Sequence, residues 1–257
     1  MIDFHDSTVY ITGAGSGIGR TTALTLHNLG ARIGILDIDP DAAEATAELI
    51  GGASHGHAVM ADVSDLSQVR GAIEHLIGVL GVPDAVVNNA GTVSWGSVDA
   101  ITDAELQRSM AVNVGGAINV VTSLLPHLRA NGGGRVVNVS SWLGLRSRPM
   151  FGLYSASKAA LVSLTRTMAL ELARDGIAVN AVLPGVIADT PMRQETDAAA
   201  RAANLPTSAE RADTIPFGRL GRPQDVANAV AFLCSTAAAY VTGDTLAVDG
   251  GLSEASA

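Results

Sequence analysis

Tyr154 and Lys158 stand four residues apart, a spacing that on a helix places both side chains on one face about one turn from each other. A phenol beside an ammonium is suited to moving a proton. With a pKa near 10 a tyrosine is a poor base at neutral pH, and every pKa unit of depression needs about 1.4 kcal/mol of preferential stabilisation of the anion. A serviceable base therefore asks for about 3 to 4 kcal/mol, of which a neighbouring cation such as Lys158 supplies a part. Such a pair taken alone also describes an ordinary surface contact. Here it follows an apolar run, Arg135 to Val139, that ends in Ser140-Ser141, with Ser141 thirteen residues before Tyr154.

A second constellation lies near the start. The apolar run Val9 to Thr12 leads directly into Gly13-Ala14-Gly15-Ser16-Gly17-Ile18-Gly19-Arg20, after which helical spacing begins. Glycines there can adopt positive φ and let a pyrophosphate approach the backbone, while the helix N-terminus behind them presents roughly half a positive charge. The pattern is GxxxGxG rather than GxGxxG, because Ile18 stands where the latter wants its last glycine. The next apolar run ends at Asp37, twenty residues after Gly17, where a carboxylate can accept hydrogen bonds from adenosine ribose hydroxyls. Asp39, before Pro40, reads instead as a helix cap. A 2′-phosphate about 4 Å from Asp37 would be repelled by roughly 4 kcal/mol per unit charge at an effective dielectric of about 20. Neither Ser16 nor Ile38 offers a cation, and Arg20 is expected to point away along its helix, so the residues favour NAD over NADP.

The elements that must position these groups follow from the alternation of apolar runs with Ala-rich helical spacing. Strands are expected at Val9 to Thr12, Ile33 to Leu36, His57 to Ala61, Ala85 to Val87, Arg135 to Val139, Ala178 to Leu183 and Thr245 to Val248. Helices are expected at Ile18 to Leu29, Asp41 to Ile50, Leu66 to Leu80, Asp103 to Leu128, Ser155 to Ala173 and Gln224 to Leu233. Such alternation makes an α/β fold, a single-domain doubly wound (Rossmann) parallel sheet of about seven strands with helices on both faces. With no internal repeat and no Pro/Ser-rich linker, residues 1–257 read as one dinucleotide-binding and catalytic domain. Residues 189–215, polar and bracketed by Pro191 and Pro216, read as a loop-plus-helix lid for substrate.

In these pieces the chain resembles the short-chain dehydrogenase/reductase family along essentially its whole length. The matching segments are Thr12 to Gly19, Asp62-Val63, Asn88 to Gly91, Asn113, Ser140-Ser141, Tyr154 to Lys158, Pro184-Gly185 and Val248 to Gly251. The resemblance implies interconversion of a secondary alcohol and its ketone by hydride transfer to or from a nicotinamide. It selects Ser141 over Ser140 as the hydroxyl that steadies the substrate oxygen and makes Tyr154 the general acid/base. Lys158 would depress the tyrosine pKa and hold the nicotinamide ribose, and Asn113 would hold a water linking Lys158 to solvent. Gly13, Ser16, Gly17, Ile18, Gly19 and Asp37 would form the cofactor site with Asp62 and Val63 at the adenine and Asn89, Ala90 and Gly91 beside the cofactor. Pro184, Gly185, Ile187 and Thr190 would close it, with Ile187 and Thr190 gripping the carboxamide. Thr190 falls six residues after Pro184 where the family more often has five. Strand-end stabilisation is an equal reading for Asn88 and Asn89. The segment Tyr240 to Asp244 resembles the part through which family members form homotetramers.

Trp95, Trp142 and Met150 are the candidate substrate contacts, with Phe151, Leu143 and Leu153 suggesting an apolar pocket for a hydrophobic or cyclic substrate. The alternatives are a 3-oxoacyl-thioester (acyl carrier protein) reductase, which normally goes with NADP and a basic docking patch, and an NAD-binding sensor or scaffold without turnover. The sensor would not need Ser141, Tyr154 and Lys158 together. A formal net charge of -9 argues against nucleic acid and anionic membrane surfaces as partners. The single cysteine, Cys234, leaves no internal disulfide, and His55-Gly56-His57 lacks further ligands for a metal, so none is expected. Met1 to Tyr10 has no basic-then-apolar leader pattern and no apolar run approaches the roughly 18 residues of a membrane span, which makes the cytoplasm the expected location.

Overall fold

The computed structural model describes residues 2–52 and 55–255; Met1 and Ala257, the ends of the expected domain, lie outside them. Seven parallel strands form one sheet: β1 (Thr8–Thr12), β2 (Arg32–Asp37), β3 (Gly56–Met60), β4 (Ala85–Asn88), β5 (Gly134–Val139), β6 (Ile177–Pro184) and β7 (Thr245–Val248). Their order is β3-β2-β1-β4-β5-β6-β7. Each expected strand is present to within one residue at either end. The reason is physical: strands covered on both faces bury nearly every side chain, so they stand out as short apolar runs.

Because successive side chains point to opposite faces, Val9 and Ile11 enter one core while Tyr10 enters the other. The first core is closed by α1 (Gly17–Asn28), α2 (Pro40–Leu49) and α8 (Pro223–Cys234), through residues such as Leu26, Ala43 and Val230. The second is closed by α3 (Leu66–Leu80), α5 (Gly116–Ala130) and α6 (Gly152–Leu172), through Leu76, Leu124 and Met168. Between these lie α4 (Asp103–Met110), α7 (Pro191–Ala202) and the short α9 (Leu252–Ala255).

The expected helix from Asp103 to Leu128 requires correction. It is interrupted between α4 and α5 by a wide π-turn at Ala111–Gly115, in which the Gly116 N–H reaches back to the Ala111 carbonyl. Gly116 also lies against Val63, where a Cβ would stand 2.8 Å from Val63 Cγ2. The turn puts Asn113 inward at 2% exposure. Taken together, Asp103–Ala130 is long and apolar enough to cross a membrane by length and composition, unlike the sequence expectation, yet Val120, Val121, Leu124 and Leu128 are packed in the core.

The order of strands reverses direction between β1 and β4. Loops leaving the C-terminal ends of these two strands diverge to opposite sides, which opens a crevice. The glycine turn after β1, the Asn89 segment after β4 and the Ser140-Ser141 end of β5 all lie at that edge.

Candidate active site

A cavity of about 740 Å³ runs along this crevice, from Asp37 and Asp62 at one end to Ser141, Tyr154 and Lys158 at the other. At its first end the geometry is set by backbone contacts. Gly13 has φ 63°, and a Cβ there would lie 2.8 Å from Ala90 Cα. Gly19 packs so closely on the Gly13 carbonyl and the Asn89 amide that no side chain fits. Asn89 locks the arrangement: its Nδ2 donates to the Thr12 and Gly13 carbonyls at 3.0 and 2.9 Å. The Thr12 hydroxyl accepts from the Asn89 and Ala90 N–H groups at 3.1 and 3.0 Å.

Asp37 ends β2 beneath the turn. Its carboxylate accepts from the Gly15 N–H at 2.7 Å and from the Asp39 N–H at 3.1 Å, so the same group that faces the cavity also braces the glycine loop. Arg20 does not point away along α1. Its guanidinium folds back onto the Gly15 carbonyl and bonds Thr46 Oγ1 at 3.0 Å, because the carbonyl of the turn and the second turn of α2 offer acceptors that solvent would otherwise supply. It bonds behind the loop and is absent from the cavity wall. Asp62 and Val63 line the wall, with Asp62 Oδ1 accepting from Ser64 N and Oγ at 2.9 and 2.7 Å. Asp39 caps α2 by accepting from Asp41 and Ala42.

At the other end Tyr154 sits in the first turn of α6 and is 8% exposed. Burial raises its pKa, while the neighbouring Ser141 hydroxyl and the Arg193 charge pull it down. Lys158 is more deeply buried, and desolvation lowers its pKa from 10.5 to about 8. Its ammonium donates to the Val139 carbonyl at 3.0 Å and lies 5.8 Å from the centre of the Tyr154 ring. In the protein alone burial dominates at Tyr154, and the Lys158 ammonium sits over its ring, tied to β5. The Tyr154 hydroxyl has Met192 Sδ at 3.9 Å.

The two serines divide their work. Ser140 Oγ donates to the Lys158 carbonyl at 2.9 Å, fastening α6 to β5, while Ser141 faces the cavity and caps a short turn by accepting from Leu143 N at 3.2 Å. Asn113 is set behind the wall. Its amide bonds the Thr92 carbonyl and Ser157 Oγ, both at 2.9 Å, and its oxygen accepts from Thr92 N at 2.8 Å. The side chain thus ties the Thr92 loop to α6, and Gly91 packs against both it and Lys158. Asn88 faces away from the main cavity and donates to Asn138 at 2.8 Å, which in turn donates to Thr165 at 2.8 Å, so the strand-end reading holds for Asn88 and Asn89 serves the turn.

Of the other expected residues, Ser16, Gly17, Ile18, Ala90, Pro184, Gly185, Ile187, Thr190 and Trp142 line the main cavity. Thr190 caps α7, accepting from Arg193 N at 3.2 Å, and presents its methyl towards Gly17. The extra residue in its spacing is accompanied by Asp189 at φ 55°, a left-handed conformation. Trp95 and Met150 line not the main cavity but an adjoining one of about 280 Å³, where the Gly96 N–H pairs with the Met150 carbonyl. Sequence reasoning missed Ser157, Met192 and Arg193, and gave Thr12 no role of its own. The Ser157 hydroxyl had no spacing signal, and α7 reaches the site only through the tertiary fold.

Residues 13–253 match the family model described as Enoyl-(Acyl carrier protein) reductase. The chain belongs to the short-chain dehydrogenase/reductase family. It is an oxidoreductase of a family that binds nicotinamide cofactors. Its relatives include 2-(S)-hydroxypropyl-CoM dehydrogenase 3 of Xanthobacter autotrophicus, 37% identical with 96% of each chain covered. Another is sorbitol dehydrogenase of Cereibacter sphaeroides, 37% identical, covering 95% of this chain and 96% of the relative. Among solved structures, the 3-ketoacyl-(acyl-carrier-protein) reductase from Brucella melitensis complexed with NADH superposes with a TM-score of 0.89 at 36% identity, covering 98% of this chain and all of the other.

Proposed function

We propose that this short-chain dehydrogenase/reductase interconverts a secondary alcohol and its ketone with a preference for NAD. The observation that carries the reading is the continuity of one cavity between the Asp37 corner and the Ser141, Tyr154 and Lys158 cluster. The residues fit the cofactor: the glycine turn leaves a cradle that side chains would fill, and the Asp37 carboxylate faces the cavity with no cation bonded to it among the described residues. Gly13, Ser16, Gly17, Ile18 and Gly19 would hold the pyrophosphate, with Asp37 on the ribose, Asp62 and Val63 at the adenine, and Asn89, Ala90 and Gly91 along the middle. Pro184, Gly185, Ile187 and Thr190 would close over the nicotinamide. When bound, that group supplies the hydride or its acceptor and, oxidised, a positive charge.

The chain's own residues handle the proton. Burial keeps the Tyr154 proton in place in the free protein, ready for donation from Oη to a carbonyl oxygen during reduction, and the reverse transfer serves oxidation. Ser141 Oγ donates to that same oxygen and orients it. Lys158, fixed by Val139, contributes charge near the phenol and a donor for ribose hydroxyls. Asn113 acts through position, tying the Thr92 loop to α6 rather than touching the reacting atoms. Residues 189–215 form the cover, with Met192 against the phenol. The whole chain is proposed to work as one domain, in the cytoplasm, as a homotetramer; Leu170 and Tyr240, at 83% and 103% exposure, are apolar surface such assembly would use.

A 3-oxoacyl thioester reductase is the second reading, favoured by the likeness to the Brucella enzyme. That neighbour's NADH removes cofactor preference as the discriminator between the two. The test is nicotinamide absorbance with purified protein, comparing NAD with NADP, secondary alcohols with 3-hydroxyacyl thioesters. Turnover of free alcohols with NAD is expected; turnover of thioesters alone would replace the first reading with the second.

A further inference from the structure

Two arginines stand where the reaction as read above has no use for them. Arg193, in the first turn of α7, and Arg148, on the loop before α6, each line both the main cavity and the adjoining one, so they occupy the boundary between Tyr154 and the second chamber. Among the described residues the buried Arg193 Nε has no hydrogen-bond partner, and its Nη1 bonds the Thr196 hydroxyl at 3.1 Å. Among the described residues the ion pairs include neither Arg193 nor Arg148.

Carboxylates on the same helix do not neutralise it. Asp197 is close enough for its charge to act on Arg193, but its oxygens accept from Ser208 N and Oγ at 2.9 and 2.6 Å. Glu195, which also lines the main cavity, is exposed. A half-buried guanidinium with its Nε shielded from water and unmet is destabilising unless a partner arrives, and its planar fork matches a carboxylate with two parallel hydrogen bonds. Its field is also felt at Tyr154, which places it within a small molecule's length of the phenol.

We infer that the substrate is a secondary alcohol or ketone that also bears a carboxylate, bound by Arg193 with help from Arg148, while its apolar part rests against Trp142 and Phe151. This rests on the oxidoreductase reading and narrows it. An anionic substrate adds no step to the chemistry: the carboxylate is held, not transformed, and the hydride and proton move as before.

The test compares hydroxycyclohexanecarboxylate with its carboxamide, and 3-hydroxybutyrate with its amide, in steady-state kinetics with NAD. Wild type is expected to prefer each acid by at least tenfold in kcat/KM. Arg193→Gln should collapse that ratio through KM, Arg193→Lys should restore part of it, and Arg148→Gln should lower it to a smaller degree. Equal use of acid and amide by wild type, or a ratio unmoved by Arg193→Gln, would overturn the inference while leaving the oxidoreductase reading intact. Calorimetry of the acids on the protein–NADH complex gives a readout without turnover. Binding that Arg193→Gln abolishes supports the anion site even if no alcohol in the panel reacts, a result that would count against the activity instead; absence of such binding removes the anion site.

Discussion

The two ends of the crevice are built by different means. At the Asp37 end, positions are held by main chain and by short side chains bonded to main chain: Gly13 against Ala90, Asn89 on two carbonyls, Asp37 on the Gly15 N–H. At the Tyr154 end the wall is made of side chains brought from distant segments, Trp142 after β5, Phe151 before α6, and Met192 and Arg193 on α7. The first kind of site has little freedom to vary, because moving any member disturbs a loop. The second can be re-cut residue by residue on an unchanged frame, which is how one fold comes to serve many substrates.

Substitutions can break or sharpen this contrast. The largest effect is expected at Tyr154, where Tyr154→Phe removes the proton donor and acceptor. Turnover should fall roughly 10³-fold, within the usual range for general acid/base catalysis, with NADH affinity by calorimetry within about twofold of wild type. A parallel loss of cofactor binding would mean that the two ends are not separable.

Next comes Asp37→Ser, which removes the charge that repels a 2′-phosphate. The NAD over NADP ratio in kcat/KM should fall by at least tenfold, on the scale of roughly 4 kcal/mol per unit charge at about 4 Å. An unchanged ratio would strip Asp37 of its selecting role and leave it as a brace for Gly15.

The smallest effect concerns stability. A Lys158 pKa lowered from 10.5 to about 8 by burial means that holding the proton at neutral pH costs the folded state up to about 3 kcal/mol. The unfolded chain binds that proton more tightly, so the cost is full below pH about 8 and fades as pH rises towards 10.5. Lys158→Met should therefore unfold at higher denaturant than wild type at pH 7, with the gap narrowing between pH 8 and 10.5. A variant less stable at pH 7 would show that the Val139 hydrogen bond outweighs the desolvation.

Legibility in the sequence follows the same division. The strands, the glycine turn and Asp37 are contiguous or regularly spaced, so buried parallel strands and tight turns leave their mark on neighbouring residues. Tyr154, Lys158 and Ser141 were visible through their spacing on one helix and one strand end. The π-turn at Ala111–Gly115 was not, since the apolar periodicity runs on through it. Arg20 was misplaced because the acceptors it meets, Gly15 and Thr46, lie outside its own helix. That Trp95 and Met150 would line an adjoining cavity was not legible, and Arg193 was overlooked, because loop and cover residues acquire neighbours only when the chain is folded.

The most direct test of the account is the fate of the carbinol hydrogen. With a secondary alcohol deuterated at that carbon and NAD as acceptor, the account predicts one deuterium per reduced nicotinamide by mass spectrometry, and loss of turnover in Tyr154→Phe. Ketone formed without deuterium in the nicotinamide, or deuterium transfer undiminished in Tyr154→Phe, would contradict it.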